Sequence, residues 1–327
     1  MRTVLITGAS GFVGSHIVEA LHSRGIGVRC LVRRTSSLDF IASLQPELAF
    51  GDVTLPATLA PALEGAEAVV HCAGLTKASF SRDYFRVNEE GCRNLYAACM
   101  DIRPRLARIV HIGSLAALGP AAEGRPITEE SPPRPVSDYG RSKLAGQRIA
   151  EEYSRHLPIS IVIPPAVYGP RDRDFLAYFR LANRGIMLFI GRAGRHMSLI
   201  YARDLAEAVA RVLLSESTAG RTYIVDDGSV QSWMSMAETI GRAMGKTPHH
   251  VYIPAVAAKG AGVIGNLMGK LRGRPVLLNG QKVKELLQST WVCSSDRIRR
   301  ELGFRAAYPL EEGIRETLAW YREHQWL

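Results

Sequence analysis

Tyr139 and Lys143, in the run Asp138-Tyr139-Gly140-Arg141-Ser142-Lys143, stand four residues apart, so on a helix they share one face. An ammonium held beside a phenol favours the phenolate, lowers its pKa toward neutrality and makes the tyrosine a usable acid or base. Such a pair also recurs by chance. Its meaning depends on the run Thr7-Gly8-Ala9-Ser10-Gly11-Phe12-Val13-Gly14 far upstream, which follows a short strand-like segment and opens a helical one. There Gly8, Gly11 and Gly14 let backbone approach a pyrophosphate, and the first turn, with Ser10, Phe12 and Val13, offers N–H donors at the positive end of the helix dipole.

The next strand selects the nucleotide. A dinucleotide site for NAD carries Asp or Glu about 20 residues on, bonded to the adenosine ribose hydroxyls. Here the segment reads Cys30-Leu31-Val32-Arg33-Arg34-Thr35-Ser36, and Val32 occupies the acidic position. Arg33 and Arg34 are suited to bidentate capture of a 2′-phosphate, with Ser36 adding a hydroxyl. NADP(H) is therefore expected, with NAD(H) as the lesser alternative. Asp52 and Val53, after the third strand, suit the adenine edge. Cys72, Ala73 and Gly74, after the fourth, with Thr76 just beyond, suit close approach to ribose and pyrophosphate.

Positioning these groups requires alternating elements. Thr3 to Thr7, Val28 to Val32, Leu48 to Phe50, Ala68 to Cys72, Arg108 to Ile112 and Ile159 to Ile163 read as strands. Gly14 to Ser23, Leu55 to Leu63, Tyr84 to Met100 and Tyr139 to His156 read as helices between them. Alternation of this kind predicts an α/β fold, a doubly wound parallel sheet whose ligand lies at the carboxyl ends of the strands. Past about residue 170 the alternation becomes irregular. The expected division is a nucleotide-binding domain over 1–169, with 199–225 returning to it, and a smaller irregular substrate lobe over 170–198 and 226–327.

Composition narrows the class. The chain has 327 residues, 46 % of them hydrophobic, enough for a large core. No signal-peptide pattern opens it, and Ile253 to Met268 is shorter than the roughly 20 apolar residues a spanning helix needs. A cytoplasmic protein without an integral membrane segment is expected. Its five cysteines lack Cys-x-x-Cys spacing, which points to reduced thiols and to neither a disulfide framework nor a metal site. The net charge of +10 is concentrated between Arg242 and Arg305. The readings open for it are a solvated basic face, weak attraction to an anionic membrane surface, or attraction to an anionic substrate. No nucleic-acid-binding motif accompanies it.

Taken in order, these residues resemble the extended short-chain dehydrogenase/reductase family over essentially the whole chain. The landmarks are the glycine turn, Gly51-Asp52-Val53, Cys72-Ala73-Gly74, Asn88-Glu89-Glu90-Gly91, Ser114 before Gly119, Tyr139 with Lys143, Pro165-Ala166-Val167-Tyr168-Gly169-Pro170, and Tyr201-Ala202-Arg203-Asp204-Leu205-Ala206. The resemblance implies a Rossmann-type sheet with Tyr139 as general acid/base, Lys143 lowering its pKa and bonding the nicotinamide ribose, and Ser114 holding the substrate oxygen. It also implies that Pro165 to Val167 cover the nicotinamide, that Asn88 fixes its helix, and that two subunits pair through the Tyr84 to Met100 and Tyr139 to Tyr153 helices as a homodimer.

Departures from the family pattern separate its branches. Leu115-Ala116-Ala117 follows Ser114 where dehydratases place Asp-Glu. Ala166 and Met197 stand where sugar-nucleotide epimerases tend to carry Asn and Arg, with Arg192 or Arg195 as substitutes. The pattern is closer to the 3β-hydroxysteroid dehydrogenase and dihydroflavonol reductase branch. Phe175, Tyr178, Phe179, Met187, Phe189, Trp233 and Met236 either line an apolar pocket or form ordinary core. The resulting expectation is an NADP(H)-dependent enzyme interconverting a secondary alcohol and a ketone on a largely apolar small molecule. The alternatives are a nucleotide-sugar epimerase with tightly held NAD and a non-catalytic NADP sensor.

Overall fold

Six strands, β1 (Thr3–Thr7), β2 (Gly27–Val32), β3 (Glu47–Phe50), β4 (Ala68–His71), β5 (Arg108–Ile112) and β6 (Ile159–Ile163), lie in the order β3-β2-β1-β4-β5-β6. Thr222–Ile224 adds a seventh beside β6, and every pairing is parallel. The computed structural model describes residues 3–122, 124–191, 195–272, 280–288 and 290–327. Arg192 and Arg274 lie outside the described residues.

The central strands are continuous apolar runs because both faces are covered. Alternate residues go to opposite sides. Val4, Ile6, Ala68, Val70, Val110 and Ile112 pack into one core with Ile17, Val18 and Leu21 of the Phe12–His22 helix and Val209 and Leu213 of the Ala202–Leu214 helix. Leu5, Val69 and Ile109 face the other core, under Leu95 and Cys99 of the Gly91–Asp101 helix and Ile149 of the Asp138–Tyr153 helix. Strand order reverses between β1 and β4. A crevice therefore opens at their carboxyl ends, where Gly8, Cys72 and Gly74 emerge.

A third core belongs to the later chain. Phe179, Met187, Met197, Met236, Ile240, Ile314 and Tyr321 join the Leu176–Asn183, Trp233–Ala243 and Leu310–Glu323 helices. Its small sheets include Ile186–Ile190 with His249–Ile253, and Leu199–Tyr201 with Ala166–Tyr168. Ile298 and Phe304 depart from the expected division, because both are buried in the first core beside the seventh strand.

The expected Tyr84 to Met100 helix is interrupted. An α-helical turn at Ser81–Phe85 leads into a π-helical turn, Arg86–Glu90, before the Gly91–Asp101 helix. Beside it runs the Asp138–Tyr153 helix, seated by glycine. A Cβ on Gly146 would stand 2.1 Å from the Asn88 carbonyl oxygen, and one on Gly140 would stand 2.3 Å from that of Ala116. Gly146→Ala should accordingly push two backbone segments apart at a cost of roughly 1–3 kcal/mol. The measurement is the urea midpoint at unchanged slope, and a variant as stable as wild type contradicts the contact.

Candidate active site

The crevice is a cleft of about 1530 Å³ running from the glycine turn to the third core. Its floor requires bare backbone. Gly8 has φ of +70°, and a Cβ there would lie 2.7 Å from the Ala73 nitrogen, while one on Gly14 would lie 2.1 Å from the Gly8 carbonyl oxygen. Gly11 caps the Phe12–His22 helix without a side-chain bond, so the first N–H groups are free to meet an external anion. The donor set fits a dinucleotide pyrophosphate.

Most of the residues expected to contact the nucleotide line this cleft: Gly8, Ser10, Gly11, Phe12, Val13, Gly14, Arg33, Ser36, Asp52, Val53, Cys72, Ala73, Gly74, Thr76, Pro165 and Val167. Arg34 does not join them. Its guanidinium lies 5.2 Å from the centre of the Phe50 ring, an exposed aromatic face that holds the cation in the turn after β2. The Ser36 hydroxyl accepts from the Arg33 backbone N–H at 3.1 Å and holds the turn. Asp52 likewise structures its own loop, one carboxylate oxygen accepting from the N–H and hydroxyl of Thr54.

Ser114, Tyr139 and Lys143 converge in the same cleft. Ser114 follows β5 and caps Leu115–Leu118, its Oγ accepting from the Ala116 N–H at 3.2 Å. Tyr139 lies in the first turn of the Asp138–Tyr153 helix, which Ser137 caps. The Ser114 hydroxyl lies near enough to the Tyr139 phenol to act on its pKa. Lys143, one turn on, donates from Nζ to the Ile112 carbonyl at 2.7 Å.

The electrostatics differ from the expected lowering of the phenol. Burial pushes the Tyr139 hydroxyl up to about 12, with the Ser114 hydrogen bond pulling the other way and the Glu285 carboxylate adding to the rise. Removal from water dominates the shift, and the Lys143 Nζ is engaged by a carbonyl. Burial lowers the Lys143 pKa as well. His71, enclosed and facing the Lys143 charge, is driven down to about 3.

Several functional neighbours carry little or no sequence signal. Asn88, expected only to fix a helix start, sits in the π-helical turn instead. Its Oδ1 accepts from the Leu75 N–H at 2.7 Å, and its Nδ2 donates to the Leu75 carbonyl at 3.0 Å and to the Ser142 hydroxyl at 2.9 Å. The loop after β4 is thereby tied to the catalytic helix. A second chain of polar groups lies beneath. Thr7 Oγ1 meets His71 Nδ1 at 2.7 Å, His71 Nε2 meets Cys92 Sγ at 3.2 Å, and Cys92 donates to the Asn88 carbonyl at 3.0 Å. The donor atoms of His71, Cys92 and His111 lie within 4.8 Å of one another. Hydrogen bonds already engage two of the three, and the Lys143 ammonium opposes a further cation there. Glu285 and Gln281, from the Gly280–Leu286 helix, reach the start of the catalytic helix. Ser137 donates to Glu285 at 2.6 Å, and Gln281 accepts from the Asp138 N–H at 2.9 Å.

Beyond Ser114 and Tyr139 the cleft walls turn apolar. Phe175, Tyr178, Phe189 and Trp233 line it, whereas Phe179, Met187 and Met236 are buried in the third core. Phe175 and Phe189 belong to both, being buried in the third core while lining the cleft. Arg195 and Met197, two apart on an extended segment, both face the cleft. Burial lowers the Arg195 pKa, and among the described residues no carboxylate pairs with it.

Comparison with known proteins agrees with this geometry. Residues 4–225 match the NAD dependent epimerase/dehydratase family. The chain is 31 % identical to a ceramide reductase of Caulobacter vibrioides, covering 99 % of this chain and 96 % of the relative. It is 29 % identical to sterol demethylase protein B of Methylococcus capsulatus, covering 98 % of each. Among solved structures, a UDP-glucose 4-epimerase of Thermus thermophilus in complex with NAD superposes with a TM-score of 0.78 at 25 % identity, covering 98 % of this chain and 99 % of that one. The glycine cradle, the Ser114–Tyr139–Lys143 cluster and these likenesses make the chain a member of the NAD dependent epimerase/dehydratase family, an NAD(P)-dependent enzyme of the extended short-chain dehydrogenase/reductase type.

Proposed function

We propose that this protein is an NADP(H)-dependent oxidoreductase that interconverts a secondary alcohol and a ketone on a largely apolar, lipid-like molecule. The observation that carries the reading is the convergence of Ser114, Tyr139 and Lys143 in one cleft, where the nucleotide cradle meets a pocket lined by aromatic residues. The likeness to a ceramide reductase and to a sterol demethylase protein supports an apolar substrate. Residues 170–198 and much of 226–327 would form the substrate lobe. The family resemblance supports a homodimer built on the Gly91–Asp101 and Asp138–Tyr153 helices, and the sequence pattern supports a cytoplasmic location.

When bound, the nicotinamide supplies or accepts hydride at its C4. The protein's own part is the proton. A phenol held near 12 stays protonated at neutral pH, so Tyr139 is set to donate to a carbonyl oxygen as negative charge develops on it. Ser114 Oγ donates a second hydrogen bond to that oxygen and fixes its position. Lys143 stands 3.9 Å from where a Cβ on Gly74 would be, which suits Nζ to a ribose hydroxyl. Leu115, Ala116 and Ala117 supply no acid or base beside Ser114, which argues against elimination of water.

The second reading is nucleotide-sugar epimerisation with tightly held NAD. Arg195 favours it, because a cleft cation without a carboxylate partner could take a diphosphate. Cofactor retained through purification, together with turnover that needs no added nicotinamide, would select this reading.

Tyr139→Phe keeps the ring and removes the donor, so turnover of a ketone should fall by at least roughly 10²-fold with NADPH affinity little changed. Near-normal turnover would refute the assignment. Ser114→Ala should lower turnover more than it lowers NADPH binding. An equal loss of both would make Ser114 a nucleotide ligand instead.

Arg33 and the missing carboxylate at Val32 set the cofactor preference. Charge-assisted bonds of about 1.5–3 kcal/mol to a 2′-phosphate correspond to a tenfold or greater preference for NADPH over NADH. Val32→Asp with Arg33→Ala should reverse it. Titration of both nucleotides at fixed ionic strength is the measurement, and equal affinities in the wild type would sink the prediction.

A further inference from the structure

Between Glu238 and Glu285 the sequence carries eight Lys or Arg (242, 246, 259, 270, 272, 274, 282, 284) and no Asp or Glu. Most of that span builds the Ala255–Arg272 helix and its flanks. Over residues 255–265 the helix is inverted relative to an ordinary surface helix, which turns its large apolar residues inward. Its buried face carries small residues, Ala258, Gly262 and Gly265. A Cβ on Gly262 would lie 3.1 Å from Gly280 Cα, so this face fits closely on the Gly280–Leu286 helix. The outward face carries Val256, Val263 and Ile264, exposed by 81 %, 67 % and 61 %, with Lys259 exposed among them.

The apolar surface continues along the strand before the helix. Val251 and Tyr252 are exposed, while Ile253 turns in to line the cleft with Leu188 and Phe189. The patch therefore reaches the rim of the substrate pocket. On its inner side the Gly280–Leu286 helix bonds the start of the catalytic helix through Gln281 and Glu285.

We infer that the Ala255–Arg272 helix and its basic flanks dock the enzyme on an anionic lipid surface, with the mouth of the substrate cleft against the bilayer. An apolar helix face bordered by cations gains from both insertion and attraction to anionic headgroups. No described helix is long and apolar enough to cross a membrane, so this one lies in the interface plane. A second copy of the chain suits the face poorly, because a two-fold contact would set the same cations against each other. Only the entry of substrate from the bilayer rests on the apolar-substrate reading. Docking itself does not.

The test is co-sedimentation of the full chain with phosphatidylcholine vesicles, with and without phosphatidylglycerol. Binding should require phosphatidylglycerol, weaken with salt, and fall at least about tenfold in Val263→Glu/Ile264→Glu. Equal binding to both vesicles, or undiminished binding by the variant, overturns the proposal. So does a smaller oligomer in the variant by size-exclusion, which would mean that a second copy covers the face. NADPH titration and reduction of a soluble ketone should stay at wild-type level, so a failure of docking is distinguishable from a failure of the oxidoreductase reading. If the double variant loses NADPH binding, Lys259→Glu/Lys284→Glu tests the same surface through charge alone, and unchanged sedimentation there also overturns it.

Discussion

Backbone-to-backbone contact between the catalytic helix and its neighbours is the constraint on which the site depends. Gly140 lies against the Ala116 carbonyl and Gly146 against the Asn88 carbonyl, each too close for a Cβ. The first contact brings the turn bearing Tyr139 to the loop bearing Ser114. The second brings the rest of the helix to the π-helical turn, so that Ser142 meets Asn88 and Lys143 reaches the end of β5. The same device operates at the nucleotide, where Gly8 and Gly14 let the first turn lie on itself and on Ala73. Four contacts without side chains hold the two halves of the cleft in register.

Around this frame, burial rather than charge pairing sets protonation. The Tyr139 phenol is raised, the His71 imidazole is lowered, and the Cys92 thiol is pushed up to about 12, all chiefly by removal from water. Each favours its neutral form. The hydrogen-bond chain from Thr7 through His71 and Cys92 to Asn88 can then persist without a charge needing solvation. Lys143 is the cation within this neutral region, and its carbonyl partner at Ile112 compensates part of the cost.

The later chain answers a different requirement. Its third core holds Phe179, Met187 and Met236 away from the cleft, while Phe175 and Phe189 serve both core and pocket and Tyr178 and Trp233 line the pocket beside them. On the Ala255–Arg272 helix Val256, Val263 and Ile264 go the opposite way, into solvent, while Ala258, Gly262 and Gly265 are turned inward. Its inner face meets the helix that also bonds the catalytic helix, so the outer surface and the site share one set of supports.

Local pattern made the nucleotide-binding half legible. Strand runs buried on both faces, glycine spacing in the first turn, and the four-residue step from Tyr139 to Lys143 are short-range properties, and β1, β5 and β6 have the bounds that pattern gives them. Long-range contacts decided the remainder. Asn88 sits in a π-helical turn with its amide bonded to both Leu75 and Ser142, and neither partner is visible from the helix's own sequence. Arg33 and Arg34 are adjacent and chemically alike, yet only the first lines the cleft, while the second, in the turn after β2, packs over Phe50. Glu285 bonds Ser137 across 148 residues of chain, a meeting that no periodicity encodes. Residue type and spacing determined which chemistry the chain can carry out, while the tertiary structure decided which groups meet and which protonation state burial imposes on them.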